Sequence, residues 1–374
     1  HSVAGSLFDA LGYPQDHMDF AYENGCDALA LTDHGNANGL SHQVLHAKKM
    51  KEEGKTFKPI FGTEAYFIPS ISEWRSEYEK ALEDKKRAKT LGSTLSGATV
   101  EDENSSKKVQ DVLRRRRHLI LLAQNQTGLQ NIFKLISESY KSENFYRYPR
   151  MDYDLLAKYG EGVIAASACL GGVYAGNFWE NREEGDEAVL NAMRETTRRM
   201  VAIFGDRWYG ELQWNNVPEQ HKLNQFIIKM HEEFGIGLIS TADSHYPNPD
   251  AWKDRELYKR LGWLGKAAPS YESTELPIDV DEIGYELYPK NGDQMWESYK
   301  KYSAECGVEY DDDLVLQSIK HTHEIAHQRI EDFLPDNTVR LPDFVVPAGY
   351  TATQALVNMS IEGLRVKGLH NDKE

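Results

Sequence analysis

The sequence predicts an α/β fold built from repeated strand–helix units, and three observations carry that reading. Short apolar segments alternate with longer amphipathic ones from residue 2 to about residue 246. The intervals between the apolar segments are long enough to hold a helix, as parallel βαβ units require. Metal-capable side chains fall where the apolar segments end, which is where parallel α/β folds place their chemistry. Periodicity alone leaves open whether the strands close into a barrel or form a doubly wound sheet.

Taken in order, the apolar segments predict strands over 28–32, 59–61 with 65–68, 118–123, 162–166, 208–214 and 237–241. Apolar residues at helical spacing predict helices over 13–24, 40–53, 129–140, 187–204 and 219–234. Residues 72–110 interrupt the alternation. Their first half is charged and reads as a helix over 74–89; their second half, 92–106, is Gly/Ser/Thr-rich with an acidic run and reads as a flexible insertion. The insertion leads into Lys107, Lys108 and the tract Arg114, Arg115, Arg116, Arg117. Such a tract is either a solvated strand approach or a phosphate-facing patch of the kind that contacts nucleic acid. Beyond Pro249 the pattern predicts helices over 251–264, 292–306 and 312–329, an extended stretch over 341–349 and an amphipathic helix over 353–367. The chain therefore divides into 1–262 and a mostly helical 263–374.

Composition excludes several classes. The 374 residues carry 43 Lys+Arg against 59 Asp+Glu, a net charge of −16, which argues against a sequence-independent polyanion binder. Three separated cysteines, Cys26, Cys169 and Cys306, do not make a disulfide framework. Mean hydropathy is −0.62. The strongest apolar run, 119–123, is far short of the roughly 20 residues that span a bilayer, so no membrane partner is expected. The first residues lack a basic stretch followed by an apolar one, so the expected location is cytoplasmic. The chain starts at His1 rather than Met, from which residues upstream are expected.

Four strand ends offer ligands. The first apolar segment runs into Asp33 and His34, the second into Glu64, and the fourth into Cys169 within the small turn 167–172. The last ends in Asp243 and His245, which on an extended backbone would point to the same face and grip one ion. Imidazole and carboxylate ligands suit zinc, manganese or iron, and a thiolate favours zinc. Asp33 and His34 are neighbours and point apart, so His34 is the better ligand and Asp33 the better supporting residue. Each of these side chains has a bland alternative as turn chemistry, a buried thiol or an ordinary loop carboxylate. Their joint placement points to a shared metal cluster of the kind that assists phosphoester hydrolysis.

With those residues in view, the chain resembles the polymerase and histidinol phosphatase (PHP) domain, in the form found at the N-terminus of the C-family bacterial replicative polymerases, the DNA polymerase III alpha subunits. The resemblance runs in order through Leu29-Ala30-Leu31-Thr32-Asp33-His34-Gly35-Asn36, Lys58-Pro59-Ile60-Phe61-Gly62-Thr63-Glu64-Ala65-Tyr66 and His118-Leu119-Ile120-Leu121-Leu122-Ala123. It continues through Ser167-Ala168-Cys169-Leu170-Gly171-Gly172, Val217-Pro218-Glu219-Gln220 and Thr241-Ala242-Asp243-Ser244-His245-Tyr246, and so covers nearly all of 1–262. It implies a distorted seven-stranded (β/α) barrel of TIM-like form. It also implies up to three divalent ions, zinc, manganese or iron with magnesium also admissible. The implied ligands are His1, Asp9, His34, Glu64, His118, Cys169, Asp243 and His245, with Asp33 behind them. The family opens with His-x-His-Ser, and here His1-Ser2 matches the second histidine. The spacing from His1 to Asp9 is one residue longer than the polymerase form, and Ala10 stands where that form has glycine.

The tail, Leu341-Pro342-Asp343-Phe344-Val345-Val346-Pro347-Ala348-Gly349-Tyr350 and a following helix, resembles the approach to the polymerase palm. The palm aspartates are not in these residues, so DNA synthesis is not expected of them. The resemblance thus implies a phosphoesterase acting as a 3′–5′ proofreading exonuclease, with DNA, a sliding clamp, a proofreading subunit and the rest of the replisome as partners. A catalytically silent brace for the palm, or a histidinol-phosphatase-like enzyme, are the alternatives.

Overall fold

The computed structural model describes residues 1–92, 109, 111–263, 285–336, 338–339 and 344–369. Their helices and strands follow in the order α1 (Pro14–Glu23), β1 (Ala28–Leu31), α2 (Leu40–Glu52), β2 (Lys58–Phe67), α3 (Ile71–Gly92) and β3 (Arg117–Ala123). Next come α4 (Gln126–Ser139), β4 (Phe145–Tyr146), β5 (Tyr148–Met151), α5 (Tyr153–Tyr159), β6 (Val163–Ala166), α6 (Val173–Asn181) and α7 (Asp186–Phe204). The remainder are β7 (Trp208–Leu212), α8 (Pro218–Phe234), β8 (Gly237–Ser240), α9 (Trp252–Trp263), α10 (Gly292–Glu305), α11 (Asp312–Glu324) and α12 (Ala352–Val366). Most of the expected flexible stretch 92–106, and the start of the expected extended stretch 341–349, lie outside the described residues. One compact unit comprises His1–Pro335; a second, Asp336–Glu374, contains α12.

The fold is α/β and barrel-like: a single sheet in the order β4-β5-β2-β3-β6-β7-β8, with β1 on β2, curled around an apolar interior. Its alternation is visible strand by strand. Phe61, Ala65, Leu119, Leu121, Val163, Ala165 and Leu238 face outward into the core shared with the helices. Ile60, Ile120, Leu122, Ile164, Ala166 and Ile239 face inward. Period-two alternation with both faces apolar is what a sheet covered by helices outside and filled inside requires.

Two features depart from the sequence reading. β3 is antiparallel to both β2 and β6, whereas a run of parallel units was expected. The reason is local: α3 does not cross the sheet but packs with Val109, Val112 and Leu113 through Ile71, Trp74 and Ala81 in a satellite cluster. Without a crossover helix the chain returns alongside β2 in the opposite direction. The expected pair 59–61 and 65–68 is one continuous strand, β2, whose first half pairs with β1 and whose second half pairs with β5 and β3.

Among the described residues β1 and β8 share no ladder, so the barrel has a seam. The N-terminal segment bridges it: Leu11 N–H donates to His245 O at 2.8 Å, and the His1 nitrogen donates to Ser244 O at 2.7 Å. The far end of the interior is plugged by Ile325, Ala326 and Ile330, at and just after a π-helical turn, Ile325–Arg329, that follows α11. Between plug and seam lies a cavity of about 210 Å³, walled by Ile120, Leu122, Ile164 and Ile239 and reaching His1, Glu211 and Asp243.

Candidate metal centre

The cluster assembles at the end of the barrel where β1 finishes. His34 follows β1 and forms a parallel bridge to Glu64, which points inward from β2 because its register partner is the inward Ile120. His118 begins β3. In a parallel strand that would be the wrong end, but β3 runs the other way, so its first residues lie beside Glu64. That antiparallel strand is why reasoning from strand ends overlooks His118.

Glu64 is 1% exposed and is the hub. Its Oε1 lies 2.7 Å from His118 Nδ1 and 3.0 Å from His34 Nδ1, and its Oε2 lies 3.2 Å from His1 Nε2. His1 Nε2 is also 3.2 Å from Asp243 Oδ1, and its ring lies 4.1 Å from that of His34 and 4.3 Å from that of His245. Asp9 Oδ2 is 2.8 Å from His34 Nε2 and 3.5 Å from His245 Nε2. Cys169 Sγ is 3.6 Å from His118 Nδ1. The ligand atoms converge in three triads within 4.8 Å: His1, His34 and His245; His1, Glu64 and Asp243; and Glu64, His118 and Cys169. Asp9 lies beside the first through His34 and His245.

Asp243 and His245 do not sit on an extended strand. β8 ends at Ser240 and Asp243 adopts φ +48°, a left-handed conformation that Asp tolerates better than most residues. The turn breaks the two-residue alternation, and His245 Nδ1 is taken up by Asp243 O at 2.6 Å. The two side chains therefore fall in different triads and share His1 as neighbour rather than one ion.

Asp33 lies behind the cluster, buried. It accepts from Ser2 N–H at 2.6 Å, Ser2 Oγ at 3.0 Å and Ser6 Oγ at 2.9 Å, and so anchors the segment that carries His1 and Asp9. Two supporting residues escaped the sequence reading. Arg255 of α9 donates to Asp9 Oδ1 at 2.7 Å and to Asp9 O at 2.6 Å; nothing in the sequence near α9 signals that. Glu211, inward on β7, accepts from Ala168 N–H at 2.8 Å and Thr241 Oγ1 at 2.7 Å, tying the Cys169 turn to the end of β8. A carboxylate inside an otherwise apolar strand was its legible signal.

Electrostatics favours bound cations. Burial pushes the Glu64 carboxyl up, but His118, His1 and His34 outweigh it and hold Glu64 well below the usual range. Burial also pushes Asp9 up, and His245, His34 and Arg255 reverse that. Burial, then Asp243 and Glu64, push the Cys169 thiol well up, so a thiolate there calls for a cation. The residues fit such an ion on a direct observation. The buried His34 Nδ1 and Glu64 Oε1 face one another without a hydrogen bond, as ligand atoms directed at a common centre do.

The PHP domain model matches residues 1–215. The chain belongs to the PHP family. The PHP match holds all of the cluster except Asp243 and His245, which follow it. Three bacterial proteins described as DNA polymerase III subunit alpha are similar. That of Aquifex aeolicus is 32% identical over 96% of this chain, that of Borreliella burgdorferi 29% over 97%, and that of Thermus aquaticus 31% over 96%. The chain spans only 26%, 26% and 25% of their respective lengths. Among solved structures, an amidohydrolase from Chromobacterium violaceum with bound sulfate and no metal aligns at 14% identity and a TM-score of 0.33, over 69% of this chain and 94% of its own. At that TM-score the likeness adds nothing to the strand-by-strand assignment of the fold.

The basic tract divides. Arg115 pairs with Glu77 at 2.8 Å and Arg117 pairs with Glu180, while Arg114 is exposed. Arg116 alone turns to the cluster rim. Its guanidinium lies 4.0 Å from the Tyr148 ring centroid and 5.5 Å from that of Tyr66, whose ring stacks 6.0 Å from His34.

Proposed function

We propose that residues 1–262 form a metal-dependent phosphoesterase acting on DNA 3′ ends as a proofreading exonuclease, and that 263–374 lead toward the palm of a replicative polymerase. The observation that carries this reading is the set of three triads sharing His1 and Glu64. We assign His1, Asp9, His34, Glu64, His118, Cys169, Asp243 and His245 as ligands. Divalent cations held there would activate water and neutralise charge on a phosphoryl group. The chain's own residues do the rest. Glu64 joins two of the triads, so displacing it disturbs both. Arg255 fixes both the backbone and the carboxylate of Asp9, and Asp33 fixes the segment between. Arg116, stacked on tyrosine at the rim, is placed to meet a phosphate, and the Tyr66 and Tyr148 rings offer a stacking platform for a terminal base. The curated relatives are polymerase subunits, which supports DNA, a sliding clamp, a proofreading subunit and other replisome proteins as partners, and the cytoplasm as location.

The deciding experiment supplies the protein with manganese or zinc and a 3′-labelled single strand. Stepwise shortening that is lost in Glu64→Gln, at unchanged far-UV dichroism, is expected. An intact, metal-loaded protein that leaves the strand untouched overturns the reading.

One observation favours a second reading, that of a structural brace. The triads join the N-terminal segment and the end of β1 to the loop after β8, across a seam that no ladder closes among the described residues. Chelation that lowers the melting temperature, with no hydrolysis under any metal, would support it.

A further inference from the structure

A second group of ligand-type side chains lies at the opposite end of β1. Asp27 immediately precedes that strand, and its backbone oxygen accepts from Lys58 N–H at 2.8 Å, so the β1–β2 ladder holds it in place. Facing it are His323 in α11 and His327 in the π-helical turn that follows. His327 Nε2 lies 3.1 Å and His323 Nδ1 3.7 Å from the same oxygen, Asp27 Oδ2. The two rings are 4.4 Å apart, and one ligand atom from each of the three residues lies within 4.8 Å of the others.

We propose that Asp27, His323 and His327 form a separate divalent-cation site for an ion of the zinc type. At 3.1 and 3.7 Å from one carboxylate oxygen, the two imidazole nitrogens have the spacing that neighbouring ligands of one small ion keep, and the longer contact is beyond hydrogen-bond range. They make an apt three-point ligand set: imidazole and carboxylate suit zinc, and three protein ligands leave a coordination position for water. Residues four apart on a helix share a face, which brings both rings to one side. The supports are rigid. Asp27 belongs to a paired strand end, and the turn bearing His327 is fixed by Ile325 and Ala326, which fill the barrel interior. All three ligands are exposed, so the ion exchanges with solvent, and no residue is shared with the cluster around Glu64. Its effect is to clasp the plug to the first strand.

The test is a zinc titration of the full chain at pH 7.5, where free imidazoles are largely neutral. Bound metal is read by equilibrium dialysis, and histidine rings by long-range ¹H–¹⁵N spectra. With the Glu64 cluster saturated, one further ion is expected at micromolar zinc, moving the His323 and His327 ring signals together. Asp27→Asn and His327→Asn should each weaken that ion by at least about tenfold, with the chelated melting temperature unchanged. Glu64→Gln should leave the extra ion in place, which separates this site from the proposed phosphoesterase centre. Ring signals that stay fixed as the extra ion binds, or binding only at millimolar zinc, overturn the proposal. Should His327→Asn fold poorly, the wild-type ring signals and Asp27→Asn still decide it.

Discussion

Replacing Asp33 by Ala tests whether the N-terminal segment is held by one buried carboxylate. In the wild type that group accepts the Ser2 N–H, the Ser2 hydroxyl and the Ser6 hydroxyl, at 2.6, 3.0 and 2.9 Å. It also fills its pocket: a Cβ placed on Gly5 would lie 2.5 Å from its carboxyl carbon, and one on Gly39 would lie 2.6 Å from Oδ2. The alanine variant leaves a buried backbone N–H without a partner, at about 1–3 kcal/mol, and two hydroxyls that must turn elsewhere, at about 1 kcal/mol each. A loss of about 3–5 kcal/mol follows, which for a unit of this size lowers the melting temperature by about 4–7 °C. Because the freed segment carries His1 and Asp9, bound metal should fall with it. Differential scanning calorimetry and metal analysis on the same sample check both. A shift under about 2 °C with full metal content would refute the claim that Asp33 organises the cluster from behind.

Two buried groups inside the barrel should give opposite pH signatures. Burial raises Glu211 to about 7 and lowers His17 to about 4. The native state holds the Glu211 proton after the unfolded chain has lost it, so this group's contribution falls as pH rises from about 4.5 to 7. The unfolded chain binds a proton at His17 that the native state refuses, so that contribution rises from pH 4 to 6.5. Each amounts to about 3 kcal/mol. In chelated protein, Glu211→Gln should steepen the rise of melting temperature with pH and His17→Gln should flatten it; equal slopes in all three proteins would contradict both assignments. Arg116→Ala should raise KM for a DNA strand about tenfold while leaving bound metal unchanged, with kcat nearly constant; an unaltered KM would remove Arg116 from the substrate path. Chelation should lower the melting temperature more in the wild type than in His34→Ala, read by the same calorimetry, because the variant has already lost part of what the ions join.

Much of this site is legible in the sequence, for a physical reason. His34 and Glu64 fall where strands deliver them, and strands announce themselves by apolar runs. His118 was out of reach of strand-end reasoning and came only from the family resemblance, because the sign of a strand's direction leaves no trace in a short apolar pattern; only the satellite packing of α3 decides it. The left-handed turn at Asp243 was hidden likewise, since an Asp can follow a strand with either hand of φ. Arg255 was out of reach altogether, as it meets Asp9 across 246 positions. The Arg114–Arg117 tract shows the opposite failure. Four like residues suggest one surface, but the structure assigns Arg115 and Arg117 to Glu77 and Glu180 and turns Arg116 to the rim.

The net charge of −16 acquires a local meaning from this arrangement. Asp9, Glu64 and Asp243 crowd one end of the barrel with Glu211 close behind, and Arg255 is already committed to Asp9. Without cations the carboxylates of Asp9, Glu64 and Asp243 oppose a phosphodiester, offset in part by the imidazoles that hold Glu64 low and by Arg116 at the rim. With cations bound, the same carboxylates are neutralised and the site turns attractive to an anion. Substrate affinity must then depend steeply on metal. On the phosphoesterase reading, because coupling between two bound species is reciprocal, a DNA end must tighten the metal ions by the same factor that the ions tighten DNA. The brace reading has no such coupling: ions that only close the seam would bind equally well whether or not a DNA end is present.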